Sequence, residues 1–342
     1  MTDTLPDTTD LTTNASPSHA IPVSCLSHRK NKWFTYIPKL SHPQKTVLQY
    51  LRHLLPLLSP SFVPGPTSGK IIHKVFPDLD FFCPFRQHAP SLANARQEIY
   101  SDIHQFPGEN GAGFFNVLAF RGVFFGSPFA QSNRYRWFDT FNDWEIFRRE
   151  GMEIAENHGD DGDEEKYYVK KSCYGQSQIE RSTDLLLTYW NQRLLWSKEF
   201  NTGRIPSITE VHKWLTKRVM IDQKNTTLFR NIGDLTALLI CGDLIEAGIL
   251  QMPTAHEWGE LIHSLRMGAK SAMRMLGLTS KRSSKSEVSK AFASLDIALR
   301  QELDEEEKAA MNYNVIMLEH TLCKIKRLTS RGIALEEIEQ EI

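Results

Sequence analysis

Apolar residues recur every three or four positions in the last part of the chain, which is the spacing of one helical face. Two sets stand out, from Val288 to Leu299 and from Met311 to Ile325. Their phases do not match across the polar residues around Asp304. The pattern therefore predicts two helices that are broken near Asp304 and packed as a hairpin, rather than one continuous rod.

Helix starts and ends are also marked locally in this part of the chain. A Ser, Thr or Asp followed three residues later by Glu can form a capping box, in which each side chain accepts a hydrogen bond from the other residue's backbone N–H. This spacing occurs at Ser207 and Glu210, Thr254 and Glu257, Ser284 and Glu287, and Asp304 and Glu307. Three glycines suit left-handed helix ends, namely Gly248, Gly277 and Gly332. Near the end of the last long helix, we expect Lys324, Lys326 and Arg327 to complement the negative end of the helix dipole.

The earlier part of the chain has a less regular pattern. An apolar run that opens at Ser41 and Pro43 predicts a helix ending near Pro56. Prolines interrupt the short aromatic runs of residues 71–85, which favours brief strands or irregular structure over helix. Residues 91–106 are then predicted to be helical.

Two further aromatic stretches follow. Residues 114–125 fit either a short hairpin turning at Arg121 or a helix capped by Gly122, and the sequence leaves both readings open. A clearer helix is predicted to begin at Asn133, because its aromatic residues return at helical spacing. That face comprises Trp137, Phe141, Trp144 and Ile154.

These patterns predict a mainly α fold with a helical C-terminal bundle. A Phe-rich, mostly helical N-terminal unit precedes the bundle and contains minor β structure between residues 70 and 130. Residues 1–31 are rich in Thr, Ser, Pro and Asp, and residues 156–165 hold six carboxylates. The predicted organisation is a disordered tail at 1–31, a Phe-rich unit at 32–156, an acidic linker at 157–176 and a helical domain at 177–342.

Composition narrows the class of protein without identifying a reaction. The 342 residues include 40 Lys and Arg against 41 Asp and Glu, so the whole chain has no net attraction for nucleic acid or membrane. The longest apolar run, Leu235 to Cys241, is too short to cross a bilayer. Five widely spaced cysteines and no export signal predict a reduced protein inside the cell, in the cytoplasm or the nucleus.

The phenylalanines are unevenly distributed. Fourteen of the 19 fall between Phe76 and Phe147. Such a cluster can build a stacking surface or an apolar ligand pocket, but Phe more often builds a core because each ring buries about 150–250 Å². We therefore predict that these rings form the core of the first unit.

One helical face carries a spacing that suits a metal ligand set. His256, Glu260 and His263 lie at positions i, i+4 and i+7, so all three can project from one side of a helix. The zinc-protease pattern fails, because Glu260 stands where that motif requires its second His. The alternative is that these residues occupy an ordinary exposed helix. Asp78 and Asp80 are a weaker candidate for cation binding, since Asp is also a common turn former.

A basic segment at residues 266–290 is the stronger candidate for binding. Arg266, Lys270 and Arg274 recur every four residues, which predicts one positive stripe on a helix. The charge continues at Lys281, Arg282 and Lys285. A stripe of this kind can bind a phosphate backbone, although solvated helices also carry such charges.

The sequence favours a non-enzymatic role. We expect a binding or scaffold protein that acts through helical surfaces on an unidentified protein partner, with no cofactor and no membrane attachment. The alternatives are binding of nucleic acid or another polyanion through the basic segment, and a metal-dependent enzyme that uses His256, Glu260 and His263.

Overall fold

The computed structural model describes residues 40–101, 106–132, 134–157, 163–170, 181–200, 203–221, 223–265 and 268–340. The predicted tail at 1–31, most of the predicted acidic linker, Asn133 and Arg266 lie outside these ranges.

The chain is mainly α-helical, as its apolar spacing predicted. The helices of the first half are α1 His42–Leu54, α2 Lys70–Val75, α3 Leu79–Phe82, α4 Pro90–Glu98, α5 Ala112–Ala119, α6 Pro128–Gln131, α7 Phe141–Asn157 and α8 Glu164–Tyr168. Those of the second half are α9 Leu185–Gln192, α10 Leu195–Phe200, α11 Ile208–Leu215, α12 Asp234–Glu246, α13 Ala255–Ser264, α14 Ala269–Met275, α15 Lys285–Glu302, α16 Glu305–Met311, α17 Val315–Thr329 and α18 Leu335–Gln340. Within the described residues, no helix has the length and apolar character needed to span a bilayer.

The minor β structure lies elsewhere than predicted. Strands β1 Arg218–Ile221 and β2 Lys224–Thr227 pair in antiparallel register, with Arg218 opposite Thr227. Residues 70–82 form short helical turns instead of strands. Pro77 fits there because it lies in the first turn of a 3-10 helix, where its missing N–H breaks no helical hydrogen bond. Asp78 then caps α3 by accepting a hydrogen bond from Phe81 N at 3.1 Å.

The four predicted capping boxes are all confirmed. At the start of α11, for example, Ser207 N donates to Glu210 Oε2 at 2.8 Å and Glu210 N donates to Ser207 Oγ at 3.3 Å. Gly248, Gly277 and Gly332 all have positive φ, as expected at helix ends. The helix predicted after Ser41 is also confirmed as α1.

Residues 114–125 are helical, and the hairpin reading is wrong. α5 continues directly into a π-helical turn at Phe120–Phe124. Gly122 lies inside this turn and not at its end. The position requires glycine, because a Cβ there would overlap the Tyr189 ring. The helix predicted from Asn133 begins only at Phe141. Thr140 and Asp143 cap it, since each backbone N–H donates to the other's side chain.

The helix break near Asp304 is confirmed, but the predicted hairpin is not the main packing. The short helix α16 separates α15 from α17. α15 packs chiefly on α13, and α17 packs chiefly on α14. Helices α15 and α17 therefore pack mainly on other helices and not on each other.

The described helices share one hydrophobic core. The Phe-rich stretch contributes its centre, where Phe114, Phe120 and Phe124 are fully buried and Trp144 nearly so. This confirms the prediction that these rings build a core. α1 packs on α15, α17 and α18, so the first described helix lies against the last ones. The predicted domain boundary at residues 157–176 stays a prediction.

Candidate functional site

A cavity of about 190 Å³ lies between α17, the turn at Arg86 and the π turn at Phe120–Phe124. Part of its wall is apolar, made by Phe81, Ala89, Leu92, Phe125, Leu235 and Leu239. Its cationic groups are Arg86, Arg121, Lys324, Lys326, Arg327 and Arg331. We call this feature the basic cavity.

α17 supplies most of the polar groups of the basic cavity. His320, Lys324 and Arg327 follow one another at spacings of four and three residues, so they lie on one face of the helix. Glu319 and Cys323 flank that face and also line the cavity. Lys324 was expected to complement the helix dipole at the end of α17, but its side chain is buried in the cavity wall.

The two arginines from the first half of the chain are held by one carboxylate. Arg86 and Arg121 both form ion pairs with Asp243, and all three side chains are buried. Tyr100 Oη also donates to Asp243 Oδ2 at 3.1 Å, and Arg86 Nε lies 3.3 Å from Glu246 Oε2. Asp243 and Glu246 therefore compensate much of the charge of these arginines.

The π turn is braced by a further buried arginine. Arg181 donates from Nε to Gly122 O at 3.0 Å and from Nη1 to Phe125 O at 3.1 Å. These contacts satisfy main-chain acceptors around the turn. They fix the segment from which Arg121 reaches the cavity, where its Cζ lies 4.4 Å from the centre of the Phe125 ring.

Within the described ranges, the cations of α17 and Arg331 in the turn after it have no comparable carboxylate partners. Among the described residues, no ion pair joins Lys324, Lys326, Arg327 or Arg331 to a carboxylate. Arg327 Nη1 donates to Phe81 O at 3.1 Å, and its Cζ lies 4.6 Å from the centre of the Phe81 ring. The positive charge on this side of the cavity is therefore available to a bound anion.

Lys324 is the most deeply placed of these cations, with 1% of its surface exposed. Its Nζ donates to Asp80 O at 2.7 Å and to Phe81 O at 3.1 Å. Burial, together with the positive charge of Arg327, lowers the pKa of Lys324 to about 7. A large share of this amine is therefore uncharged near neutral pH.

His320 presents an unsatisfied nitrogen in the same wall. The residue is 9% exposed, and its Nε2 finds no hydrogen-bond partner in the part of the chain that the structure describes. Burial lowers its pKa well below the usual value, and the positive charges of Lys324, Arg86, Arg327 and Arg121 lower it further. The imidazole is therefore neutral at pH 7. An unpaired buried nitrogen costs about 1–3 kcal/mol, which a ligand can offset by bonding to it.

Glu319 brings a carboxyl group to this face of α17. Burial raises its pKa, and its Oε1 accepts a hydrogen bond from Cys323 Sγ at 3.0 Å. Burial also raises the pKa of the Cys323 thiol well above its usual value, which removes thiolate character. Cys323 is therefore not a nucleophile at neutral pH.

The three residues of the predicted metal site all lie on α13 but have other contacts. His256 Nδ1 lies 3.2 Å from Ser289 Oγ, and Glu260 pairs with Lys285 at 2.7 Å. Among the described residues, no group of three or more His, Cys, Asp or Glu side chains is arranged to hold a metal ion. The weaker pair is also divided, since Asp78 caps α3 while Asp80 is buried against Ser91.

The basic segment at 266–290 does not form the single helix that its spacing predicted. α13 ends at Ser264 and α14 begins only at Ala269, because Gly268 adopts a φ of 71° between them. Lys270 Nζ turns back to donate to His263 O at 2.6 Å, and Arg274 Nη2 donates to Ser271 Oγ at 3.0 Å. The charges thus divide between a short helix and a loop.

The remaining charges of the basic segment lie at the surface. Lys281 and Arg282 are exposed in the loop after α14, and Lys285 is exposed at the start of α15. Arg266 lies outside the described residues.

Comparison of the chain with models of protein families, with curated proteins and with solved structures finds no match.

Proposed function

We propose that this protein binds a small organic anion that has an apolar body, and that the basic cavity holds it. The observation that carries the proposal is a set of cations, on α17 and at Arg331, that pair with no carboxylate of the described residues and lie beside an apolar wall and the Nε2 of His320, which has no partner in the same ranges. The proposal narrows the binding role expected from the sequence to a small-molecule ligand.

The chemistry of the wall defines the ligand class. An anionic group suits Arg327 and Arg331, because arginine donates two parallel hydrogen bonds to a carboxylate or phosphate. An apolar body suits the rings of Phe81 and Phe125 and the neighbouring leucines. Pockets for drug-sized molecules measure about 300–1,000 Å³. A cavity of about 190 Å³ therefore fits a single ring or a short alkyl chain with one acidic group.

A matched pair of ligands tests the proposal. Calorimetric titration with 3-phenylpropionate and with 3-phenylpropanol compares an anion with a neutral molecule of nearly the same shape. We expect the anion to bind at least tenfold more tightly, equivalent to about 1.4 kcal/mol. Equal affinities for the two molecules would contradict the proposal.

Variants locate the binding. Arg327→Met keeps much of the side-chain length over Phe81 but removes the charge, so we expect at least a tenfold loss of affinity for 3-phenylpropionate. Lys281→Met removes one positive charge from an exposed loop residue and serves as the control, with affinity unchanged. An equal loss in both variants would mean that the anion responds only to net charge.

The other functions expected from the sequence stay predictions. They are the unidentified protein partner, polyanion binding through the basic segment, the metal-dependent enzyme and the intracellular location. The ion pair between Glu260 and Lys285 ties one predicted metal ligand to one predicted phosphate contact, so neither side chain is independent of the other.

A further inference from the structure

We propose that Lys324 captures the carbonyl group of the bound anion as an imine, so that the basic cavity selects an oxo acid. This inference rests on the proposed anion binding and names the substrate class of the same cavity.

The placement of Lys324 is unusual for a lysine. Its side chain is almost fully buried, and no carboxylate among the described residues pairs with it. Lysine is rarely buried without a partner, because the charged ammonium loses its hydration. A lysine in such a position favours the neutral amine, which is the nucleophilic form.

The hydrogen bonds of Lys324 leave one position open. Its Nζ donates to two main-chain oxygens, Asp80 O and Phe81 O. A neutral amine has two hydrogens and one lone pair, so these two acceptors can hold both hydrogens. The third position then carries the lone pair that attacks a carbonyl carbon.

The surroundings of Lys324 favour the neutral amine. Burial is the largest influence and lowers the pKa of Lys324 to about 7, and the positive charge of Arg327 from the same helix acts in the same direction. The nearby Asp80 carboxylate acts in the opposite direction. The Asp80 carboxylate accepts hydrogen bonds from Ser91 and Gln131, whereas Lys324 donates to the main-chain oxygen of Asp80.

The spacing on α17 suits a carbonyl next to an acid group. Lys324 and Arg327 lie three residues apart on one helical face, where Cβ atoms are about 5–6 Å apart. In a 2-oxo acid the carbonyl carbon is bonded directly to the carboxylate carbon. One ligand can therefore place its carboxylate on Arg327 while its carbonyl reaches the amine of Lys324.

The reaction balances without an oxidant or a reductant. The lysine nitrogen attacks the carbonyl carbon, a C–N bond forms, and the former carbonyl oxygen receives a proton. That oxygen then leaves as water after a second protonation, so a protonated lysine and a carbonyl compound give a protonated imine and water. Two groups of the wall can carry a proton between nitrogen and oxygen, namely the neutral imidazole of His320, one turn before Lys324, and the carboxyl of Glu319, whose pKa is raised by burial.

Reductive trapping tests the inference on the wild-type protein. The full chain is incubated with phenylpyruvate and cyanoborohydride, which reduces a protonated imine to a stable amine. We expect intact mass spectrometry to show one adduct per chain and peptide mapping to place it on Lys324. Excess phenyllactate, which has a hydroxyl in place of the carbonyl, should compete and suppress the adduct.

Two variants sharpen the result. Lys324→Met should abolish the adduct, with circular dichroism used to verify that the variant is folded. Lys281→Met removes an exposed lysine outside the basic cavity and leaves the buried amine, so the adduct on Lys324 should still form. The peptide map of the wild type identifies the reacting lysine even if Lys324→Met fails to fold.

The outcomes separate this inference from the proposed function. If phenylpyruvate and phenyllactate bind equally and no adduct forms on Lys324, carbonyl capture is wrong and anion binding stands. Adducts scattered over exposed lysines such as Lys281 would also overturn it. If neither acid binds, both proposals fall.

Discussion

Two basic regions of this molecule differ chiefly in burial. The basic segment presents Lys281, Arg282 and Lys285 to solvent, where charges are hydrated and screened by salt. The basic cavity holds Arg86 and Lys324 away from water. The first region is dense in charge along the sequence, whereas the second gathers its charges from distant segments.

The comparison teaches that charge density along a sequence is a poor guide to a small-molecule site. An exposed cation contributes little to a specific contact, since water already solvates it. A buried cation interacts more strongly with an anion and is held in one orientation by its neighbours. Three experiments test this contrast, in order of decreasing effect on stability.

The largest effect is expected from Asp243→Asn, which removes the carboxylate shared by Arg86 and Arg121. Leaving buried charges uncompensated costs about 3–5 kcal/mol. We expect urea unfolding to show a loss of stability of that size. Glu305→Gln, which breaks an exposed pair with Lys308, is the control and should change the unfolding midpoint little. Similar small losses in both variants would remove the distinction between the buried and exposed charges.

A smaller effect is expected from pH. The pKa of Lys324 is lowered from 10.5 to about 7 in the folded state, so the unfolded chain binds more protons above pH 7. The free energy of unfolding of the wild type should therefore rise with pH relative to that of Lys324→Met, by at most about 1.4 kcal/mol per pH unit.

Urea unfolding of the two proteins between pH 7 and pH 8.5 measures this difference. Lys324 does not contribute to the raised pKa of Tyr50, so this tyrosine affects both proteins alike. Burial raises the pKa of the Cys83 thiol to about 12, far above the pH range of the measurement, so its interaction with Lys324 adds little to the difference. A gap between the wild type and the variant that is independent of pH would show that Lys324 keeps an ordinary pKa.

The smallest effect on stability is expected from replacing Lys281 and Arg282 together by Ala. Both side chains are exposed, so the free energy of unfolding should change by less than about 0.5 kcal/mol. If the basic segment binds polyanions, the double variant should bind DNA or RNA more weakly at low salt and with a shallower salt dependence. Filter binding with duplex and single-stranded probes measures this.

Arg327→Met is the matched control for the nucleic-acid experiment. It should leave polyanion binding unchanged, because Arg327 belongs to the basic cavity. If Arg327→Met weakened polyanion binding and the double variant did not, the two regions would not be separate sites. Failure of every probe to bind at low salt would reject the polyanion hypothesis.

The sequence was most informative where structure depends on neighbouring residues. The capping boxes were predictable because two side chains three residues apart satisfy each other's backbone groups. The π turn at Phe120–Phe124 was not predictable, because position 122 requires glycine only through its contact with Tyr189 from another helix. Local pattern cannot report such a contact.

The basic cavity was missed for a related reason. Arg86, Arg121 and Lys324 are far apart in the chain, and only the fold brings them together. The spacing of Lys324 and Arg327 was visible on α17, but it also suits charges that complement a helix dipole. The apolar residues around Lys324, Leu322 and Ile325 among them, were the one local sign that this face is buried.

The packing of α1 on α15, α17 and α18 has a consequence for how the protein is made. A ribosome completes α1 first, but the helices that cover its apolar face come from the other end of the chain. Three leucines of α1 are buried in the finished protein, namely Leu48, Leu51 and Leu54. α15 cannot cover them until some 230 intervening residues have been synthesised. At a translation rate of about 5–20 residues per second, this synthesis takes roughly 10–50 seconds. During translation the nascent chain therefore exposes the apolar face of α1, which a chaperone can bind until α15 emerges.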